Sequence, residues 1–299
     1  MPATSTLQSI LISLRLSHWV KHLFLFAALI FSGRLLHFDD FLRTVAGFFL
    51  FSFASSAIYL INDITDIEKD KLHPTKSKRP IPSGALSVNT AATVAVGLLI
   101  IALGVSFQIN SSFGLVTAIY VIVNIAYSLF LKNVVILDVM SIAASFVLRV
   151  VAGAAMIGVP ASEWLILCTL LLSLFLGFSK RRHELLILER DAVAHRSVLE
   201  HYSPHFLDQM TAIVTAATVM SYALYTLSEE TVRKFSTHHL IYTVPFVLYG
   251  IFRYLYLVHK REEGGNPTKI LLTDIPMIVN VVVWVLVCVF IIYGSKVYG

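Results

Sequence analysis

Residues 62–70 read Asn62-Asp63-Ile64-Thr65-Asp66-Ile67-Glu68-Lys69-Asp70, an amide and four carboxylates at the end of a long apolar run. Carboxylates are costly at a membrane boundary, so a cluster there calls for a cation. If the preceding helix continues through them, Asn62, Asp66 and Asp70 recur every four residues and share one face, drifting only about 40° per step. Two carboxylates and an amide oxygen on one face suit Mg²⁺, a hard ion that takes one or two carboxylates and completes its octahedron with water or substrate phosphates.

The loop that follows runs from Lys71 through Leu72-His73-Pro74-Thr75-Lys76-Ser77-Lys78-Arg79-Pro80-Ile81-Pro82-Ser83-Gly84, and its three prolines preclude a continuous helix. Acid and base are therefore adjacent, which is what a metal-bound diphosphate needs: carboxylates for the ion, and cationic donors for the oxygens the ion leaves uncovered. Contact with anionic lipids alone would account for Lys76, Lys78 and Arg79. The acidic face beside them favours diphosphate.

Two more groups of polar residues interrupt apolar sequence. Asp138, Ser141, Ser145 and Arg149 lie at offsets of 0, 3, 7 and 11 and form one narrow stripe on a helix. Ionisable residues at membrane depth face a bundle interior or a water-filled cavity, so this stripe is expected to line a polar pocket. Asp138 and Arg149 are about three turns apart, too far to satisfy each other, so each needs other partners. Lys180-Arg181-Arg182-His183-Glu184 ends another apolar run and reads either as a membrane anchor or as a second set of anion ligands. Arg15, Trp19 and Lys21 near the N-terminus pose the same choice, while His195, His201 and His205 are read as polar loop residues.

Positioning these groups is a task for membrane helices. Of the 299 residues 57% are hydrophobic and 14% charged, too little polar surface for a soluble globule of this size. An all-α integral membrane protein follows, a single domain over residues 1–299, with apolar runs near the ~20 residues that span a bilayer. Nine spans are expected, at about 19–33, 43–62, 89–107, 113–131, 134–157, 163–179, 207–227, 239–257 and 272–294. Lys69, Lys71, Lys76, Lys78, Arg79, Lys132, Lys180, Arg181, Arg182, Arg190, Arg196, Lys260, Arg261 and Lys269 all fall on the connections after even-numbered spans. The positive-inside rule then places the N-terminus in the cytoplasm, the C-terminus outside and the two long polar connections on the cytoplasmic face. A removable signal peptide is not expected, and Leu7, Ile10, Leu11 and Leu14 suit a short amphipathic element lying along the interface. Cys168 and Cys288 lie within spans and read as packing residues. Asn110-Ser111-Ser112 reads as a coincidental glycosylation match.

Asn62-Asp63-x-x-Asp66-x-x-x-Asp70 and Arg79-Pro80-Ile81-Pro82-Ser83-Gly84 resemble the first Asp-rich motif and following loop of the UbiA superfamily of intramembrane prenyltransferases. Within it the chain is most similar to the decaprenyl-phosphate phosphoribosyltransferase branch. That closer match is carried by Trp19-Val20-Lys21, Leu72-His73-Pro74-Thr75-Lys76, Tyr127-Ser128-Leu129-Phe130-Leu131-Lys132, Leu137-Asp138-Val139 and Phe146-Val147-Leu148-Arg149. It continues through Ala152-Gly153-Ala154, Lys180-Arg181-Arg182, His195-Arg196 and Tyr202-Ser203-Pro204. A second Asp-rich motif would be expected after span six of an ordinary prenyltransferase, and this chain has Lys180-Arg181-Arg182-His183-Glu184 there. Cations in that place suit one metal-bound diphosphate together with other phosphates.

The resemblance implies a nine-helix UbiA-like bundle in a bacterial inner membrane, with Mg²⁺ as cofactor and phosphoribosyl pyrophosphate and a polyprenyl phosphate lipid as substrates. It further implies that a phosphoribosyl group moves to the lipid phosphate for arabinan-type or related cell-wall precursors. Asn62, Asp66 and Asp70 would hold the ion, and Asp63 or Asp138 would stabilise positive charge on the ribose. Lys21, Lys76, Lys78, Arg79, Tyr127, Lys132, Arg149, Lys180, Arg181 and Arg182 would face phosphates and substrate. The nucleophile is already anionic, so no general base is required. A homo-oligomer is compatible with such a bundle, and no feature calls for nucleic acid. Two other readings remain: a UbiA-type transfer of a polyprenyl chain to an aromatic or other acceptor, and a membrane transporter using Asp138 and Arg149, for which the chain lacks a clear internal repeat.

Overall fold

The computed structural model describes residues 5–73, 75–188, 197–260 and 267–298; Pro74, Arg190, His195, Arg196 and Arg261 lie outside the described residues. All elements among the described residues are helical. They are α1 (Thr6–Ser13), α2 (Leu25–Phe31), α3 (Phe38–Thr65), α4 (Ile67–Lys71), α5 (Val88–Ile109), α6 (Ser111–Leu129) and α7 (Leu137–Met156). The second half holds α8 (Glu163–Leu188), α9 (Pro204–Leu227), α10 (Glu229–Phe235), α11 (Val244–Lys260), α12 (Pro267–Thr273) and α13 (Ile275–Tyr298). Among the described residues nine helical stretches are long and apolar enough to cross a bilayer, in agreement with the nine expected.

Local chemistry starts several of these helices. Ser87 and Ser203 accept from Thr90 N and Phe206 N at the starts of α5 and α9, and Pro204 occupies the first turn of α9, where its missing N–H costs nothing. Asn110 caps α6 by accepting from Ser112 N and Phe113 N while its amide donates to Ala155 O at 3.2 Å. That cap explains the Asn-Ser-Ser sequence in structural terms.

Helices consecutive along the chain pack side by side from α3 through α9, skipping the short α4, and α2 lies against both α3 and α7. One apolar core joins Leu25, Phe51, Phe113, Tyr120 and Met156. A second joins Val139, Phe175, Leu207, Tyr254 and Leu257. Tyr293 near the end of α13 links the two termini of the bundle: its hydroxyl donates to Ile30 O at 3.0 Å and accepts from Leu35 N at 2.9 Å.

The first span departs from expectation. It covers Thr6–Phe31, beginning well before residue 19, and it is broken: Arg15 adopts φ 52 and a 3₁₀ segment, Leu16–Phe24, separates α1 from α2. Leu7 and Leu11 are exposed as an interfacial element requires, but Ile10 and Leu14 pack against the Ala57, Leu60 and Ile81 cluster. Irregular backbone at membrane depth is tolerated where protein or a polar cavity satisfies it. Ser56 does part of this, donating to Leu14 O at 2.9 Å and accepting from Trp19 Nε1 at 3.1 Å.

Candidate functional site

Helix α3 ends at Thr65 and Asp66 bends the chain at φ −99, ψ 11, yet Asp70 N still donates to Asp66 O at 2.8 Å. The face expected from the four-residue spacing therefore survives with a kink at its centre. Each carboxylate on it meets a cation. Asp63 accepts from Arg15 and from Arg79 Nη1, the latter at 3.1 Å. Asp70 accepts from Arg79 Nη1 at 2.6 Å, with Lys76 Nζ 3.7 Å from its other oxygen. Asp66 takes both its bonds from Lys132 Nζ, each 3.2 Å long. Asp63 and Asp70 are buried, whereas 31% of the Asp66 side chain is open.

Four cations thus face three carboxylates. Asn62, one turn before Asp66, has a buried Oδ1 that accepts no hydrogen bond. A buried amide oxygen without a donor costs about 1–3 kcal/mol, which a hard cation beside it would recover. Asn62, Asp66 and Asp70 supply only oxygen donors and fit such an ion. They form no all-carboxylate cage: among the described residues no three His, Cys, Asp or Glu side chains gather closely enough to hold a metal. His73, in the loop over this face, accepts through Nδ1 from Thr75 N at 3.2 Å. Partial burial, with the Lys76 charge beside it, lowers its pKa from the usual 6.5.

Deeper in the bundle Arg149 and Lys21 have no acidic partner among the described residues. Arg149 is buried and donates to His22 Nδ1 at 3.1 Å, Ser145 O at 2.6 Å and Tyr120 OH at 3.0 Å. Its guanidinium also lies over the Tyr120 and Phe146 rings, at 5.0 and 4.9 Å. Lys21 on the broken span lies within electrostatic reach of both Arg149 and Arg15, and forms no ion pair among the described residues. Lys180 in turn is within reach of Lys21 and Tyr127, and has Glu184 at 3.7 Å. Positive charges gathered at membrane depth without counter-charges call for an anion.

Two of the expected site residues, Asp138 and Arg181, face each other in the interior. Asp138 has no exposed surface: its Oδ1 accepts from Tyr202 OH at 2.7 Å and its Oδ2 lies 2.9 Å from Arg181 Nε, close but off the hydrogen-bonding axis. Arg181 is fully buried between Asp138 and Glu184. In this arrangement the two buried charges face each other. Arg182 points elsewhere again, its Nε donating to Asp208 on α9 at 2.5 Å. Lys78 is exposed at the loop surface.

The sequence reading missed Asp63's partner Arg15, and it missed His18, His22, Tyr59 and Tyr120. His18 Nδ1 is 3.1 Å from Tyr59 OH, and Arg15 lies over the Tyr59 ring at 4.5 Å. A usable signal was present, since His18 and His22 lie four apart within an apolar span, where ionisable residues are rare.

Known proteins share this architecture and this sequence. The chain is 34% identical over 289 residues to the decaprenyl-phosphate phosphoribosyltransferase of Corynebacterium glutamicum, covering 94% of this chain and 86% of that one. It is 30% identical to the enzyme of the same name from Mycobacterium tuberculosis over 288 residues, covering 95% and 94%. Among solved structures, a UbiA homologue from Archaeoglobus fulgidus bound to GPP and Mg²⁺ superposes with a TM-score of 0.71 at 19% identity, over 95% of this chain and 99% of that one. The profile of the UbiA prenyltransferase family matches residues 22–274, and with it the nine-helix bundle, the acidic turn on α3 and the relatives above lead to one assignment: the chain belongs to the UbiA prenyltransferase family.

Proposed function

We propose that the protein transfers the 5-phosphoribosyl group of phosphoribosyl pyrophosphate to a polyprenyl phosphate and releases diphosphate, with its site on the cytoplasmic face of a bacterial inner membrane. The observation that carries this reading is the division of the cations into two groups. Arg79, Lys76 and Lys132 stand among carboxylates; Lys21 and Arg149 stand without them. An enzyme joining a metal-bound diphosphate to a second phosphate needs one group of each kind. The names of the relatives support the same substrates.

In this account Asn62, Asp66 and Asp70 hold a divalent cation, Mg²⁺ by its oxygen donors. A cation held there would supply charge neutralisation for a diphosphate leaving group. Arg79, Lys76 and Lys132 exchange carboxylate partners for phosphate oxygens, a move that keeps every charge paired. The C1–O bond to diphosphate then breaks and the lipid phosphate oxygen forms the new bond to C1. Asp63 lies beside Arg15 and Arg79 and offsets the positive charge on the ribose as the leaving group departs. Lys21, Arg149 and Lys180, with Tyr127 near Lys180, receive the phosphate of the second substrate. No proton need be removed from an anionic nucleophile, in keeping with a pocket whose histidines bond Tyr59 and Arg149, not a carboxylate.

Purified protein incubated with Mg²⁺, labelled phosphoribosyl pyrophosphate and polyprenyl phosphate is expected to yield a labelled lipid. Turnover of a prenyl diphosphate with an aromatic acceptor, and no labelled lipid, would overturn the proposal.

A further inference from the structure

The Tyr202-Ser203-Pro204 sequence has no part in the chemistry above, yet its tyrosine bonds a strained point of the backbone. Ile136 adopts φ 68, ψ −45, and Leu137 N donates to Val135 O at 2.8 Å across it. This is the rare γ-turn of positive φ, and a β-branched residue is poorly suited to it. Such a conformation persists only where its surroundings impose it. Tyr202 OH is that imposition: it accepts from Ile136 N at 2.7 Å and donates to Asp138 Oδ1 at 2.7 Å. A phenol has one proton to give, so donation to Asp138 leaves its lone pairs for the Ile136 amide. Burial, with the bond to Asp138 adding to it, raises the Tyr202 pKa, which keeps that proton in place. Arg181 in turn holds Asp138 from the other side, 2.9 Å away.

The strained turn lies four residues after Lys132, the residue bonded to both oxygens of Asp66. The connection is short and tight: residues 131–133 form a 3₁₀ turn, Val134 N donates to Leu131 O at 3.1 Å, and Asp138 N donates to Val134 O at 3.0 Å. We propose that Tyr202, braced by Asp138 and Arg181, is a positioning residue that holds Ile136 in its strained turn and thereby keeps Lys132 over the diphosphate site. This rests on the function proposed above for its link to catalysis, but the brace itself does not. Asp138 then acts through Tyr202 and the turn, without touching substrate.

The test compares Tyr202→Phe, Ile136→Gly and the double variant. Phenylalanine keeps the ring that stacks on Phe206 at 6.0 Å, so only the hydroxyl is lost. Glycine adopts positive φ without strain, and the Ile136 side chain is 40% exposed, so little packing goes with it. Tyr202→Phe is expected to raise the KM for phosphoribosyl pyrophosphate roughly tenfold, as release of ~1.4 kcal/mol of strain would. The KM for lipid phosphate should stay unchanged, and Ile136→Gly added to Tyr202→Phe should restore most of the loss. Reactivity of Lys132 toward acetic anhydride, read by mass spectrometry, should rise in Tyr202→Phe and fall again in the double variant. A Tyr202→Phe protein with unchanged Lys132 reactivity, or a double variant no better than the single one, overturns the inference. If wild-type protein makes no labelled lipid while the reactivities follow the expected order, the brace stands and the proposed reaction falls.

Discussion

At the scale of single residues the proposed function makes the site a contest between carboxylates and substrate phosphates for the same cations. Asp66 is the open member, and its partner Lys132 can move to a phosphate without leaving a buried charge behind. Asp66→Asn and Asp70→Asn are expected to lower kcat by about 10²–10³, the size of effect seen when charge stabilisation of a transition state is lost. Circular dichroism should show helix content unchanged in Asp66→Asn, and near-normal turnover in both variants would remove these residues from the ion site. Lys21 makes the opposite case. Removing an unpaired cation from membrane depth should stabilise the fold while harming function. Lys21→Met is expected to raise the unfolding temperature in detergent by about 2–4 °C, as ~1 kcal/mol does in a chain of this size or somewhat smaller, while raising the KM for lipid phosphate. His73 adds a pH dependence. Its pKa is lowered in the folded chain, so its contribution is complete above the ordinary value of 6.5 and is lost as pH falls below it. Protection of the Thr75 and Lys76 amides against hydrogen exchange, relative to their intrinsic rate at each pH, should fall between pH 7.5 and pH 5, and His73→Gln should abolish that change. The acidic face was legible from spacing because Asn62, Asp66 and Asp70 follow one another turn by turn across the α3–α4 junction. Arg15 and Arg79 beside Asp63 were not, since ion pairs between distant segments leave no periodic trace.

At the scale of elements, hydropathy located eight of the spans closely, because a bilayer-length apolar run admits few structures other than a helix. It failed on the first span, where Arg15, His18, Lys21 and His22 break the apolar pattern and the backbone turns to 3₁₀ geometry around them. The polar stripe on α7 was also read correctly as a stripe, but its two charges serve different networks, Asp138 toward α8 and Arg149 toward the first span. Asp138→Asn is expected to destabilise the protein by about 1–3 kcal/mol, because the buried Arg181 keeps Glu184 as its remaining acidic partner. A large fall in kcat with an unchanged unfolding temperature would instead make Asp138 catalytic. Helix α7 also depends on Gly153, where a Cβ would overlap the carbonyl oxygen of Leu25 on α2. Gly153→Val should force α2 from α7 and cost about 1–3 kcal/mol, read as a lower unfolding temperature.

At the scale of the whole molecule, the bundle gathers its ionisable groups where α3, α7, α8 and the broken first span converge. In the proposed reaction, two phosphate-bearing substrates, one dissolved and one embedded in the bilayer, would meet there. The proposed chemistry requires that the bond broken be C1–O of the ribose and that the 5-phosphate travel with the sugar. Phosphoribosyl pyrophosphate labelled separately at its 5-phosphate and at its β-phosphate, incubated with polyprenyl phosphate, Mg²⁺ and the purified protein, reads this directly. The account predicts that 5-phosphate label enters the lipid while β-phosphate label is released as diphosphate; β-phosphate label in the lipid, or no labelled lipid from either substrate, would contradict it.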